Sequence, residues 1–261
     1  MHISVRGQGP SLVMLHGWSM HSGVWSDLAE ALASKYTLYL VDLPGHGQSG
    51  WETGEFDIES LVLQLGSRLP QTAYWLGWSL GGLISLAYSE RFPERVNKLI
   101  LLATTPCFVK KKDWQSAIQD DVLHEFSDKL AHHQEDTLQR FLMLQARGAA
   151  KSRETIKALA RQLVIQRPAH SAALRDSLSL LINLDLRLTL SKLECPIKLI
   201  LGERDSLVPQ TMGANARALN TALEVVLIEG AGHAPFISHP IECEQAVMTF
   251  FESENQDDRT V

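Results

Sequence analysis

Cysteine is scarce, no apolar run reaches membrane length, and basic charge is not in excess; each shortage closes off a class of function. The 261 residues include three cysteines, Cys107, Cys195 and Cys243. Their number is odd and none forms a Cys-x-x-Cys pair, so the reading is free thiols in a reducing compartment, with no disulfide framework and no structural metal. No apolar stretch approaches the roughly 18 residues that a membrane span needs. The opening Met1-His2-Ile3-Ser4-Val5-Arg6 lacks the basic, then apolar, then small-residue order of a secretory signal. A formal net charge of −6 argues against nucleic acid as a partner. These points together lead to the expectation of a cytoplasmic monomer outside the membrane.

What is present is an alternation. Short apolar runs at Ser11–Leu15, Thr37–Val41, Thr72–Leu76, Lys98–Ala103, Ile197–Leu201 and Glu224–Ile228 read as buried strands of a largely parallel sheet. Asp27–Ala33, Ile58–Leu69, Leu80–Arg91, Thr211–Leu219 and Ile241–Phe251 read as the covering helices. Such an order predicts an α/β chain with a doubly wound sheet and ligands at the carboxyl ends of its strands. Between Lys110 and Leu190 the alternation stops. Leu123, Phe126 and Leu130, then Leu138, Phe141, Leu142 and Gln145, then Leu159, Leu163 and Val164 recur at helical spacing, punctuated by Gly148 and Pro168. The expected division is a core of residues 1–109 and 191–261, with residues 110–190 inserted as a helical cap. The polar tail Glu252–Val261 is expected to fray.

Chemistry concentrates at Leu76-Gly77-Trp78-Ser79-Leu80-Gly81-Gly82. A serine between a strand and a helix, with glycines two positions either side, fits a strained turn that presents its hydroxyl to solvent-side ligands. The helix begins after it, so unpaired N–H groups face any anion formed there. A serine hydroxyl needs a base, and the base an orienting acid. Among ten histidines, His233 lies in the glycine-loosened loop Glu229–Pro235, just past the last apparent strand. His16 and His46 sit in tight turns near the same edge, and His132 and His133 read as surface. For the acid, Leu201–Pro209 supplies Asp205, with Glu203 as competitor and Asp185 as a more distant one. The order serine, aspartate, histidine favours Asp205. Oxyanion donors would be the N–H groups of Leu80 and, through the turn that Gly17 permits, Trp18.

A charge asymmetry adds to this. Arg140, Arg147, Lys151, Arg153, Lys157 and Arg161 face a single acid, Glu154, within residues 140–161. Arg153, Lys157 and Arg161 recur every four residues and share one helix face, suited to steering an acidic partner.

Leu15-His16-Gly17-Trp18, Val41-Asp42-Leu43-Pro44-Gly45-His46-Gly47-Gln48-Ser49, Gly77–Gly82, Gly202-x-x-Asp205 and Gly232-His233 together resemble the α/β-hydrolase superfamily over essentially the whole chain. Trp75–Leu83, Arg140-Phe141-Leu142-x-Leu144-Gln145 and His233–Pro240 narrow the resemblance to the pimeloyl-acyl-carrier-protein methyl ester esterases of biotin synthesis. The resemblance implies a Ser79–Asp205–His233 esterase without metal or organic cofactor, acting on an acyl chain carried by an acidic acyl carrier protein. It implies an acyl channel walled by Trp18, Trp78 and Phe141, substrate contact at Leu80 as well, and carrier docking at Arg140, Arg153 and Lys157. Asp136 departs from the pattern, standing where another basic residue is expected. The alternatives are a broad short-chain carboxylesterase or thioesterase with the same triad, and a ligand-sensing relative with little turnover.

Overall fold

The computed structural model describes residues 1–52, 56–165 and 168–253. Seven strands form one sheet: β1 (His2–Gly7), β2 (Ser11–Leu15), β3 (Thr37–Asp42), β4 (Ala73–Trp78), β5 (Val96–Leu102), β6 (Ile197–Gly202) and β7 (Glu224–Ile228). Their spatial order is β1-β3-β2-β4-β5-β6-β7, and every pair is parallel except β1 with β3. The first helices are α1 (Ser26–Leu32), α2 (Ile58–Arg68) and α3 (Leu80–Arg91). Between β5 and β6 lie α4 (Asp120–Leu130), α5 (Gln134–Gln145), α6 (Ser152–Ile165), α7 (Ser171–Asn183) and α8 (Arg187–Lys192). Then α9 (Met212–Leu219) precedes β7, and α10 (Pro235–Ser238) and α11 (Pro240–Glu252) follow it. The sheet separates two buried clusters, one holding Trp18, Trp75, Tyr88 and Phe141, the other Trp25, Trp78, Phe236 and Phe250.

Central strands β2, β4 and β6 are almost wholly buried, as continuous apolar runs covered on both faces must be. The sheet departs from expectation at its edges. The first residues form β1, an antiparallel strand with no counterpart in the sequence reading. Its burial is only partial, so it lacks the apolar density that marks the central strands. Glu224–Ile228, expected to be buried, is instead the opposite edge, with Leu227 45% exposed. Within residues 110–190, the structure adds short bridges at Val109–Ile118 and Lys111–Trp114 before the helices begin. Residues 254–261 of the polar tail lie outside the described residues.

Helix α3 packs unusually close to the sheet. A Cβ at Gly81 would stand 2.2 Å from the Leu15 carbonyl oxygen, and one at Gly77 2.4 Å from that of Gly81. Both obstacles are backbone, so neither can rotate aside. Gly81→Ala is therefore expected to push α3 off β2 and to lower unfolding free energy by about 3 kcal/mol in chemical denaturation. Unchanged stability would contradict this packing.

Candidate active site

Ser79 stands between β4 and α3 with φ 54° and ψ −116°, a left-handed conformation that a non-glycine residue keeps only where its surroundings enforce it. Those surroundings are hydrogen bonds. Its N–H donates to Leu102 O at 3.0 Å, and its carbonyl accepts from Gly82 N, Leu83 N and the Thr104 hydroxyl at 3.0, 3.1 and 2.7 Å. With the backbone fixed, the side chain projects past the ends of the strands. Ser79 Oγ lies 2.9 Å from His233 Nε2, and His233 Nδ1 lies 2.8 Å from Asp205 Oδ2. The side chains sequence reasoning selected from three separate loops meet in one line.

Each member is held from behind. The second carboxylate oxygen of Asp205 accepts from Leu207 N and Val208 N at 2.8 and 3.0 Å. That leaves Oδ2 facing the imidazole, so Nδ1 carries the proton and Nε2 offers its lone pair to the serine. His233 itself is gripped through its backbone. Its N–H donates to Gln145 O at 2.9 Å, and its carbonyl accepts from the Trp78 indole at 2.7 Å. Neither grip is visible in the sequence: Gln145 contributes only a carbonyl at a helix end, and Trp78 reads as an apolar aromatic. Ser79 is 3% and His233 1% exposed, so the hydrogen-bonded line from serine through histidine to carboxylate is shielded from water.

The other candidates have different surroundings. Glu203 accepts from Gly230 N at 2.9 Å and braces the histidine loop. Asp185 pairs with Arg187 and Lys111, which hold its carboxyl well below the usual range. His132 and His133 are exposed between α4 and α5. His16 is fully buried; Leu43 N donates to its Nε2 at 3.0 Å and its Nδ1 donates to Gly17 O at 2.8 Å. It thus ties the Gly17–Trp18 loop to the loop after β3. In the Gly17–Trp18 loop, after β2, Ser19 also has a positive φ, 65°. The N–H groups of Trp18 and Leu80 donate to no other group among the described residues, which leaves both open to an anion.

Trp18 and Phe141 meet edge to face at 4.7 Å, and the Trp18 indole donates to Leu174 O in α7 at 3.0 Å. Trp78 does not join them; it packs with Trp25 and Phe236 in the other cluster. Arg140, Arg153 and Lys157 are all exposed, as is Asp136. Arg140 is paired with Glu125 at 3.2 Å, whereas Arg153, Lys157 and Arg161 form no ion pair among the described residues. Among those residues no cluster of three or more His, Cys, Asp or Glu side chains is arranged to hold a metal, and no helix is long and apolar enough to cross a membrane.

The model of the alpha/beta hydrolase fold family matches residues 10–240. The chain belongs to the α/β-hydrolase family. Among curated proteins, this hydrolase is 41% identical over 253 residues to a pimeloyl-[acyl-carrier protein] methyl ester esterase of Xanthomonas axonopodis pv. citri, covering 97% of this chain and 99% of that one. It is 40% identical to a protein of the same name from Xylella fastidiosa, over 96% and 98% of the two chains. Among solved structures, an esterase from Exiguobacterium antarcticum superposes with a TM-score of 0.85 at 20% identity, covering 97% and 95%. A bromoperoxidase from Bacillus anthracis gives 0.87 at 22%, covering 96% and 95%. At those identities the structural likeness speaks for the fold alone.

The loops that carry the site also set how the hydrolase responds to acid. Burial pushes His16 down to about 3 and His46 down to about 4, so both stay neutral in the folded chain where the unfolded chain would protonate them. Burial raises the Asp42 carboxyl, but donors from Gln48 and Ser22 and the nearby His16 outweigh it, leaving its pKa below the ordinary value. Histidines lowered on folding contribute stability that is complete above pH 6.5 and lost as pH falls toward 4; the aspartate's contribution is lost only below that. Unfolding free energies measured by chemical denaturation from pH 7 to pH 4 are expected to fall steadily, by a few kcal/mol in all. A flat profile across that window would contradict the buried, neutral imidazoles.

Proposed function

We propose that the chain is a serine carboxylesterase that hydrolyses the methyl ester of a pimeloyl group carried on acyl carrier protein, releasing methanol and the free carboxylic acid. The line from Ser79 Oγ through His233 to Asp205 supports the chemistry. Full-length relatives at about 40% identity, named for that ester, support the substrate. By the resemblance of its motifs, the reaction is a step of biotin synthesis. The enzyme acts as a cytoplasmic monomer and needs neither metal nor organic cofactor.

His233 Nε2 takes the Ser79 proton as Oγ attacks the ester carbonyl carbon, and the carbonyl oxygen becomes an alkoxide. The Leu80 and Trp18 N–H groups receive that oxyanion; each such donor is typically worth about 10²–10³ in rate. Asp205 holds the imidazole in the tautomer that accepts at Nε2 and stabilises the imidazolium that results. Collapse of the tetrahedral intermediate breaks the bond to the methoxy oxygen, which leaves as methanol with the proton from His233. Water then gives a proton to His233, attacks the acyl-serine and regenerates Ser79. Trp18 and Phe141 wall the acyl chain, with Leu80 at its reacting end. Trp78 contributes through its grip on the histidine loop. The carrier docks on the cap at Arg140, Arg153 and Lys157. Arg140 contributes less than the others because Glu125 already neutralises it, and Asp136 opposes an acidic partner.

Ser79→Ala is expected to lower kcat for the carrier-linked methyl ester by roughly 10⁶ while leaving the fold intact by circular dichroism. Retention of more than a few per cent of activity in clean protein would remove Ser79 as the nucleophile.

A further inference from the structure

Helix α6 links two of the loops that carry the site. Just before its first turn, Ala150 N donates to Gly230 O at 2.9 Å, in the loop that leads to His233. In its last turn, Gln162 O accepts from His21 Nε2 at 2.8 Å, three residues beyond Trp18. Its inward positions Thr155 and Leu159 are buried, Leu159 in the cluster that contains Trp78. A helix of 14 residues is about 21 Å long, so this element bridges the base loop and the oxyanion loop.

The outward face is unusual in two respects. Arg153, Lys157 and Arg161 run along it at four-residue spacing with no ion pair among the described residues. Three residues further, on the same face, stands Val164, expected from its spacing to be inward but 84% exposed. Ile165 beside it is 69% exposed. On a helix, positions i, i+4, i+8 and i+11 fall within one quadrant, so the cationic row ends in an apolar pair. A solvated helix face needs the charges but gains nothing from two β-branched side chains in water.

We infer that Val164 and Ile165 form the apolar anchor of the carrier-docking face, whose occupant is a helix of the acidic carrier protein pairing its carboxylates with Arg153, Lys157 and Arg161. The inference rests on the carrier-linked substrate proposed above. Charge complementarity on one surface of a chain with net charge −6 selects an acidic partner and raises its encounter rate. Desolvating the apolar end then fixes the register, because charges at an exposed rim orient a partner more than they hold it. The docked carrier sits on the helix that spans the buried serine, on the side away from Leu159.

The test compares kcat/KM on the carrier-linked pimeloyl methyl ester with kcat/KM on p-nitrophenyl acetate, at 50 and 300 mM salt, for three proteins. For the parent chain, the carrier-linked ester is preferred and its KM rises with salt. For Arg153→Glu with Lys157→Glu, the preference collapses and its salt dependence flattens. For Val164→Ser with Ile165→Ser, the preference falls about tenfold through KM while the salt dependence keeps the parental slope. A preference within twofold of the parent for the serine pair, with the charge-reversed protein impaired, overturns the anchor and leaves carrier docking standing. So does an equal loss on both substrates. A parent chain that shows no preference for the carrier-linked ester overturns the carrier reading itself, and the anchor with it.

Discussion

Helix α3 crosses the sheet so closely that no side chain fits between Gly81 and Leu15, where a Cβ would stand 2.2 Å from a carbonyl oxygen. Most of the site depends on that contact. Because the helix starts hard against the carboxyl ends of β2 and β4, the chain between strand and helix has one residue in which to turn. Ser79 therefore takes a positive φ, held by hydrogen bonds to Leu102, Thr104 and the first turn of α3. The same proximity sets the His16 carbonyl, at the start of the loop that carries the unpaired Trp18 N–H, against Gly81, where a Cβ would stand 2.7 Å from it. Backbone strain of order 1–3 kcal/mol is sustained because the surrounding structure over-determines it.

His233 is positioned by a different means. The histidine loop is not strained but gripped, by Asp205 at the ring, Trp78 at the carbonyl and Gln145 at the amide. Gln145 ends α5, so the helices inserted between β5 and β6 hold His233 through a backbone bond, and α6 reaches both the His233 loop and the loop after β2. The inserted helices and the Ser79–His233–Asp205 line are mechanically joined. A partner that docks on α6 thereby touches the element that both catalytic loops lean on.

Much of this was legible in the residues, and the exceptions have physical reasons. Strands buried on both faces announce themselves as apolar runs, so Ser11–Leu15 and the other central strands are recognisable from composition. Edge strands carry no such signal: β1 mixes His2, Ser4 and Arg6 with Ile3 and Val5, and β7 exposes Leu227. Ser79, Asp205 and His233 could be chosen because each follows a strand and glycines mark its turn. The backbone grips of Gln145 and the carbonyl of Ser79 could not, since a carbonyl belongs to every residue. Val164 misled the periodicity because a valine at helical spacing looks the same whether it faces the core or a partner. Trp78 enters the resemblance as a channel wall, and the structure adds a role that its aromatic character does not announce, an indole N–H donated to the His233 carbonyl.

On the proposed function, the site breaks the distal methyl ester and leaves the bond to the carrier intact. Single-turnover incubation of the enzyme with pimeloyl methyl ester on acyl carrier protein, with methanol and free carrier thiol quantified together by mass spectrometry, tests it most directly. The expected result is one equivalent of methanol, a free carboxylate on a carrier whose thioester survives, and a transient acyl adduct on Ser79. Release of free carrier thiol ahead of methanol would contradict it and make the enzyme a thioesterase.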